Sequence, residues 1–110
     1  MAFDEGLAFR VDSFMEPESD IVCKKMFGGK GYLTGGNMVC GVLDDYLIVR
    51  TGPEIYEDCL KREFVRVFDL TGRTMKGWVV IDAEGLEEDT DLKDWIDKGL
   101  AFARSLPVKA

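Results

Sequence analysis

Apolar positions change period several times along the chain, and each change marks an element. Phe3, Leu7, Val11 and Phe14 recur at spacings of four, four and three, with Asp4, Glu5, Arg10 and Asp12 between them. That spacing sets the four on one stripe of a helix, and Pro17 stops it. From Asp20 to Phe27 the chain reads as extended; the glycines at 28, 29 and 31 read as a bulge or bend, and Tyr32-Leu33 continues the strand beyond it. Thr34-Gly35-Gly36-Asn37 is turn chemistry, because glycine and asparagine accept positive φ at little cost. Met38 to Leu43 then pairs back, Asp44-Asp45 offers a second tight turn, and Tyr46 to Arg50 runs forward, which makes a three-stranded antiparallel meander.

Thr51-Gly52-Pro53-Glu54 combines a capping-box pattern with a proline near the first helical position, so a helix is expected from there to about Glu63. Ile55, Cys59 and Phe64 can face inward, and Glu57 with Lys61 and Asp58 with Arg62 are favourable pairs four residues apart. Val65 to Leu70 reads as a shorter strand or extended segment; the Thr71-Gly72-Arg73 turn follows, then a strand from Met75 to Ile81. Glu84 to Asp91 is an acidic loop leading into a helix capped by Asp91. Leu92, Trp95, Ile96, Gly99, Phe102, Ala103 and Leu106 form the broad inward face of that helix, and Pro107 closes it. Acid at its start and Lys98 and Arg104 near its end suit the helix dipole.

The order is helix, three strands, helix, two strands, helix: a single α+β domain over residues 1–110, with helices packed on one face of an antiparallel sheet. The strands add a complication. Tyr46 and Ile48 oppose Leu47 and Val49, while Met75, Val79 and Ile81 oppose Trp78 and Val80, so both faces of the sheet are apolar where one wet face would alternate. Something is expected to cover the second face. A homodimer burying a patch that contains Trp78 and Val80 would do so.

Charge narrows the partners. The 110 residues carry 14 basic and 21 acidic side chains, a net charge of -7, which opposes a nucleic-acid backbone; no basic recognition helix is visible, and direct duplex DNA binding is not expected. Cys23, Cys40 and Cys59 are odd in number and widely spaced in a chain without histidine, which argues against a disulfide framework and a zinc site. The start of the chain lacks the basic and apolar runs of a signal peptide, and no stretch of 18 apolar residues occurs. The expected compartment is the cytoplasm, with no membrane contact, no metal and no cofactor.

Candidate chemistry concentrates in two glycine-rich runs, 24–32 and 72–78. Gly28, Gly29 and Gly31, with Gly72 and Gly77, read as structural glycines where backbones bend or approach closely; exposed amides beside Lys30 are the anion-binding alternative. Cys23 beside Lys24 and Lys25 is either a thiol of lowered pKa or a structural cysteine. The acidic residues of turns and loops read as solvated caps, not as acid-base pairs. Lys24, Lys25, Lys30, Arg73 and Lys76 are five cations gathered in those two runs of an otherwise acidic chain. They read as protection of strand edges, or as a docking patch for an acidic partner or an anion.

Lys25-Met26-Phe27-Gly28-Gly29-Lys30-Gly31-Tyr32, then Gly72-Arg73-Thr74-Met75-Lys76-Gly77-Trp78, then the helix from Leu92-Lys93-Asp94-Trp95 to Leu106-Pro107, make the chain resemble the N-terminal domain of the TfoX (Sxy) competence regulators. The resemblance spans most of the chain from about residue 22. It implies the same order of helices and strands, in a two-layer sandwich similar to secretion chaperones. It also implies a soluble bacterial regulatory protein, not an enzyme, acting with a protein partner such as a transcription factor. It supplies no catalytic residues.

Overall fold

A computed structural model describes residues 3–26, 28–70 and 72–109. The strand end expected at Phe27 and the turn residue Thr71 lie outside the described residues. Helix α1 (Glu5–Met15) leads into strands β1 (Ile21–Met26), β2 (Gly29–Thr34), β3 (Asn37–Leu43) and β4 (Tyr46–Arg50). A short helix α2 (Tyr56–Leu60), strands β5 (Val65–Leu70) and β6 (Arg73–Ile81), a 3-10 turn at Ala83–Leu86 and helix α3 (Asp89–Ser105) complete it. The six strands form one antiparallel sheet in the order β1-β2-β3-β4-β6-β5.

The first correction follows directly: the glycine run does not bend one strand but separates two. Met26 pairs with Gly29 and Ile21 with Thr34, so β1 and β2 form a hairpin, Gly28 at φ 77 sits at its turn, and the meander has four strands. Bulge and hairpin share their residue chemistry, and only long-range pairing decides between them. Close backbone approach does hold at Gly29, where a Cβ would collide with the carbonyl oxygen of Val42 in the neighbouring strand.

The second correction is at α2. Thr51 does not cap a helix: its hydroxyl donates to the carbonyls of Gly52 and Gly77, at 2.9 and 3.1 Å, and the helix starts only at Tyr56. Tyr56 and Cys59 are buried while Ile55 and Phe64 stay exposed, because five residues give little more than one inward turn. Arg62 pairs not with Asp58 but across to Asp94 of α3, at 3.1 Å, and its guanidinium lies over the Trp95 ring.

Leu7, Ala8, Val11 and Met15 of α1 share a core with Leu92, Trp95, Ile96, Leu100 and Ala103 of α3 and with Tyr32, Val42, Leu47, Val49, Val79 and Ile81 of the sheet. All three helices therefore lie on one face. Phe102 and Leu106 are only partly buried, Leu100 takes an inward place, and Glu88 rather than Asp91 stands at the start of α3. The acidic loop is partly ordered, since its 3-10 turn buries Leu86. Arg104 of α3 reaches back to Glu18 and Asp20 ahead of β1, each at 2.7 Å.

The second face is also apolar, and the chain itself buries much of it. Along one register row Gly31, Gly41, Ile48 and Val80 stand side by side. Met38, Leu43, Ile48, Phe68 and Val80 form a second buried cluster with no helical residue in it, flanked by Met26, Leu33, Tyr46, Met75 and Trp78. The cause is a kink in β6. Gly77 takes φ 88, a left-handed conformation that glycine alone adopts freely, and the pairing with β5 slips between Val67 and Asp69. The far end of the β5–β6 hairpin thereby brings Phe68 to 6.1 Å from Trp78 in ring centroids. Glycines make room below: a Cβ on Gly31 would lie 2.5 Å from the Met26 sulfur, and one on Gly41 2.7 Å from the Met38 methyl. Val80, expected on an exposed patch, is inside, and Trp78 is half-buried.

Hydrogen bonds from Arg104 and Thr34 hold the Asp20 carboxyl well below its ordinary 3.8. A carboxyl depressed on folding stabilises fully above the unfolded value and loses that contribution as pH falls through the folded one. Melting between about pH 5 and pH 2 should therefore show an acid limb that is shallower in Arg104→Gln; equal limbs in the two proteins would show that this pair does not govern acid unfolding.

Candidate functional site

β1 is an outer strand, and its sequence explains why it stays open. Ile21 and Met26 at its ends are partly buried, whereas Val22, Cys23, Lys24 and Lys25 between them are exposed. Edge strands with lysines resist uncontrolled pairing, yet their free backbone groups remain available to a chosen segment. Beside the edge runs α1, which turns Leu7, Ala8, Val11 and Met15 inward and leaves Phe9, off that stripe, 71% exposed.

Between them lies a groove in two connected parts. One, of about 340 Å³, is bounded by Phe3, Cys23, Lys24, Lys25 and Lys30. The other, of about 440 Å³, shares Phe3, Lys25 and Lys30 and adds Glu5, Ala8, Phe9 and Asp12. Its floor is fixed by a polar cluster. Lys30 Nζ donates to both oxygens of Asp12 at 2.8 Å, the Tyr32 hydroxyl donates to Asp12 Oδ1 at 2.7 Å, and the ammonium stands 5.6 Å from the Tyr32 ring centre. Burial first, and the Asp12 carboxylate second, push the Tyr32 hydroxyl up, so it remains a proton donor to Asp12.

The five cations thus divide. Lys24, Lys25 and Lys30 meet in this groove, with Lys25 and Lys30 directly paired across β1 and β2, whereas Arg73 and Lys76 are exposed on β6 and line neither part of it. Lys30 is neutralised by Asp12; Lys24 and Lys25 have no carboxylate partner among the described residues. Gly31 is paired on both sides within β2 and Gly29 pairs with Met26 of β1, so both belong to the sheet and not to a separate loop beside Lys30. Gly72 takes φ 77 at the exposed β5–β6 turn.

The thiols are not activated. Partial desolvation beside the groove raises the exposed Cys23 more strongly than Lys30 lowers it, against the lowered-pKa alternative for this thiol, and burial raises Cys40 and Cys59. Among the described residues no group of three metal-ligating side chains converges, and no helix is long and apolar enough to cross a membrane.

Phe9 and Asp12 complete this groove, and nothing in the sequence pattern singles them out for it; Val22 is exposed on the same strand edge but lines neither part. Phe9 alone carries a usable signal, since a phenylalanine off the apolar stripe of a surface helix must face solvent or a partner.

A profile of the TfoX N-terminal domain matches residues 3–103, nearly the whole chain. The chain belongs to the TfoX N-terminal domain family. Of the motifs that carry the resemblance, the first glycine-rich run forms the β1–β2 hairpin and the second forms the kinked β6. No match was found among curated proteins or among solved structures.

Proposed function

We propose that this domain is a non-enzymatic regulatory module that works in the cytoplasm through a protein partner, in the control of transcription as its family membership suggests. The observation that carries the partner reading is the β1 edge: four successive exposed residues, two of them lysines with no carboxylate partner among the described residues, beside an exposed phenylalanine on an otherwise acidic chain. The occupant that fits is an extended acidic segment with interleaved apolar residues. Its backbone would extend the sheet at β1, its carboxylates would meet Lys24 and Lys25, and its apolar side chains would meet Val22, Phe3 and Phe9. The net charge of -7 disfavours duplex DNA in the same place.

The variant Lys24→Glu with Lys25→Glu tests this against Arg73→Glu with Lys76→Glu. All four side chains are exposed, so folding should change by less than about 1 kcal/mol per residue. Capture of the native partner should be lost in the first variant and kept in the second, and amide exchange along β1 should slow in the complex. Retained capture by the first variant, or unchanged exchange along β1, would refute the edge as the docking site. A second copy of this chain as the captured species would make the partner a homodimer subunit; direct β1–β1 pairing would bring like-charged lysines together, which disfavours it.

A further inference from the structure

Four cationic side chains in this chain are partly buried: Arg10, Lys30, Arg50 and Lys98. Arg10 is paired with Asp89, Lys30 with Asp12 and Lys98 with Asp94. Arg50, at the end of β4, has no carboxylate partner and its side chain donates no hydrogen bond among the described residues; its guanidinium is held only by two rings, 5.5 Å from the centre of Trp78 and 5.3 Å from that of Phe102. Stacking fixes the plane of a guanidinium and leaves its N–H fork free. A partly desolvated cation without an anion is an unfilled requirement.

Arg50 also borders a cavity. On the helix-free face, a space of about 190 Å³ opens among Met26, Leu33, Met38, Phe68, Met75 and Trp78, with Arg50 and Lys109 at its border. Its wall is therefore apolar, its two charged members are both cations, and three of its six apolar members are methionines, whose flexible thioethers adapt to a guest. Lys109 is held there by its backbone, whose N–H donates to the Gly35 carbonyl at 2.8 Å, and by a side chain that lies over Gly36. An apolar cavity of about 150 Å³ is enough to admit a benzene ring. The space here is of that order, too small for a nucleotide or a peptide side-chain cluster and matched to one ring with a small substituent.

The geometry points to a ligand site for a small aromatic carboxylate, its ring among the methionines and Trp78 and its carboxylate on the free fork of Arg50, with Lys109 as the second cation. A planar carboxylate matches the guanidinium fork in two parallel hydrogen bonds, which a neutral isostere cannot supply. The site is separate from the β1 groove and shares no residue with it.

Benzoate is the probe and benzyl alcohol its neutral counterpart, each titrated into the whole chain and followed by amide and indole NMR shifts. Benzoate should move the Trp78 indole and the Gly36 amide and leave the Trp95 indole unmoved. It should bind at least about tenfold more tightly than benzyl alcohol, a difference of one decade in Kd. Arg50→Gln should abolish that preference, and Lys109→Gln, at an exposed position, should reduce it less. Absence of shifts around the cavity in the millimolar range, equal binding of the two probes, or an unchanged preference in Arg50→Gln would each overturn the site. Should Arg50→Gln fail to fold because its ring contacts are lost, the comparison of the two probes on the unaltered chain still decides.

Discussion

Replacing Gly99 by alanine is expected to lower the stability of this domain by about 2 kcal/mol, although alanine is the better helix former. Gly99 lies in the middle of α3, where the exchange should gain up to about 1 kcal/mol from backbone preference alone. Against this stands the approach of α3 to β3: a Cβ at Gly99 would lie 2.5 Å from the carbonyl oxygen of Val39 and 3.0 Å from its Cγ1. The first contact is with backbone of a buried central strand, so no rotamer change relieves it. Moving α3 outward would open the packing of Trp95, Ile96 and Leu100 on either side, and overpacking of this kind typically costs about 1–3 kcal/mol or somewhat more. The clash outweighs the gain in helix preference, and a midpoint about 10 °C lower in thermal melting is the expected reading. Gly99→Ala with unchanged or higher stability would mean that α3 does not press on β3 in solution.

Gly99 is legible in sequence as an inward position of the last helix, because the 3.6-residue period places it between Ile96 and Ala103. The same period finds Leu7 and Val11 on the inward side of α1, although Phe3 lies ahead of that helix and Ala8 and Met15 are buried where Phe14 is only partly so, and alternation with turn chemistry finds β3, β4 and the two tight turns around them. What escapes is whatever depends on partners distant in sequence. The run Gly28-Gly29-Lys30-Gly31 permits a bulge or a hairpin equally, and only the pairing of Met26 with Gly29 settles it. Thr51 has the right neighbours for a helix cap, yet the carbonyl of Gly77, 26 residues on, accepts from both its amide and its hydroxyl. A nonlocal bond overrides a local motif.

The candidate site shows the same division. Lys24, Lys25 and Lys30 stand out because cations gather in the two glycine-rich runs of an acidic chain, and Lys25 and Lys30 prove to be cross-strand partners. Arg73 and Lys76 look equivalent on composition but belong to the β5–β6 hairpin, at the opposite end of the sheet order from β1. Arg50 is invisible in sequence, since nothing local distinguishes an arginine at a strand end from one enclosed by Trp78 and Phe102, residues 28 and 52 positions downstream. Asp12 looks like one more polar position on α1, and its role as the common acceptor of Lys30 and Tyr32 comes only from the packing of that helix on β2.

Truncating Ile48 to alanine should cost about 3 kcal/mol, and the loss should not depend on protein concentration. Ile48 is fully buried on the face of the sheet that no helix covers. Two covers are physically possible for such a face, a second copy of the chain or the chain's own kinked hairpin, and they predict different mass action. A cover supplied by a partner is lost on dilution, so the midpoint of unfolding would rise with concentration and the mutation would weaken association along with folding. A cover supplied in cis, by Phe68, Met75 and Trp78 over Met38, Ile48 and Val80, makes unfolding unimolecular. The local geometry favours the second: Val80 is already buried within one chain, and Gly31 and Gly41 leave the room that the Met26 and Met38 side chains fill. Truncation at Ile48 leaves a void beside Gly41, which has no side chain of its own to fill it, with only the flexible Met38 side chain lying over that glycine, and this places the cost in the middle of the range for buried isoleucine. Chemical unfolding at two concentrations about a hundredfold apart, for the unaltered chain and for Ile48→Ala, separates the packing loss from any association, since a dimer would shift by about 2.7 kcal/mol over that span. Coincident curves displaced by about 3 kcal/mol between the two proteins would place this second core inside the monomer; curves that separate with concentration would return Trp78 and its neighbours to a subunit interface.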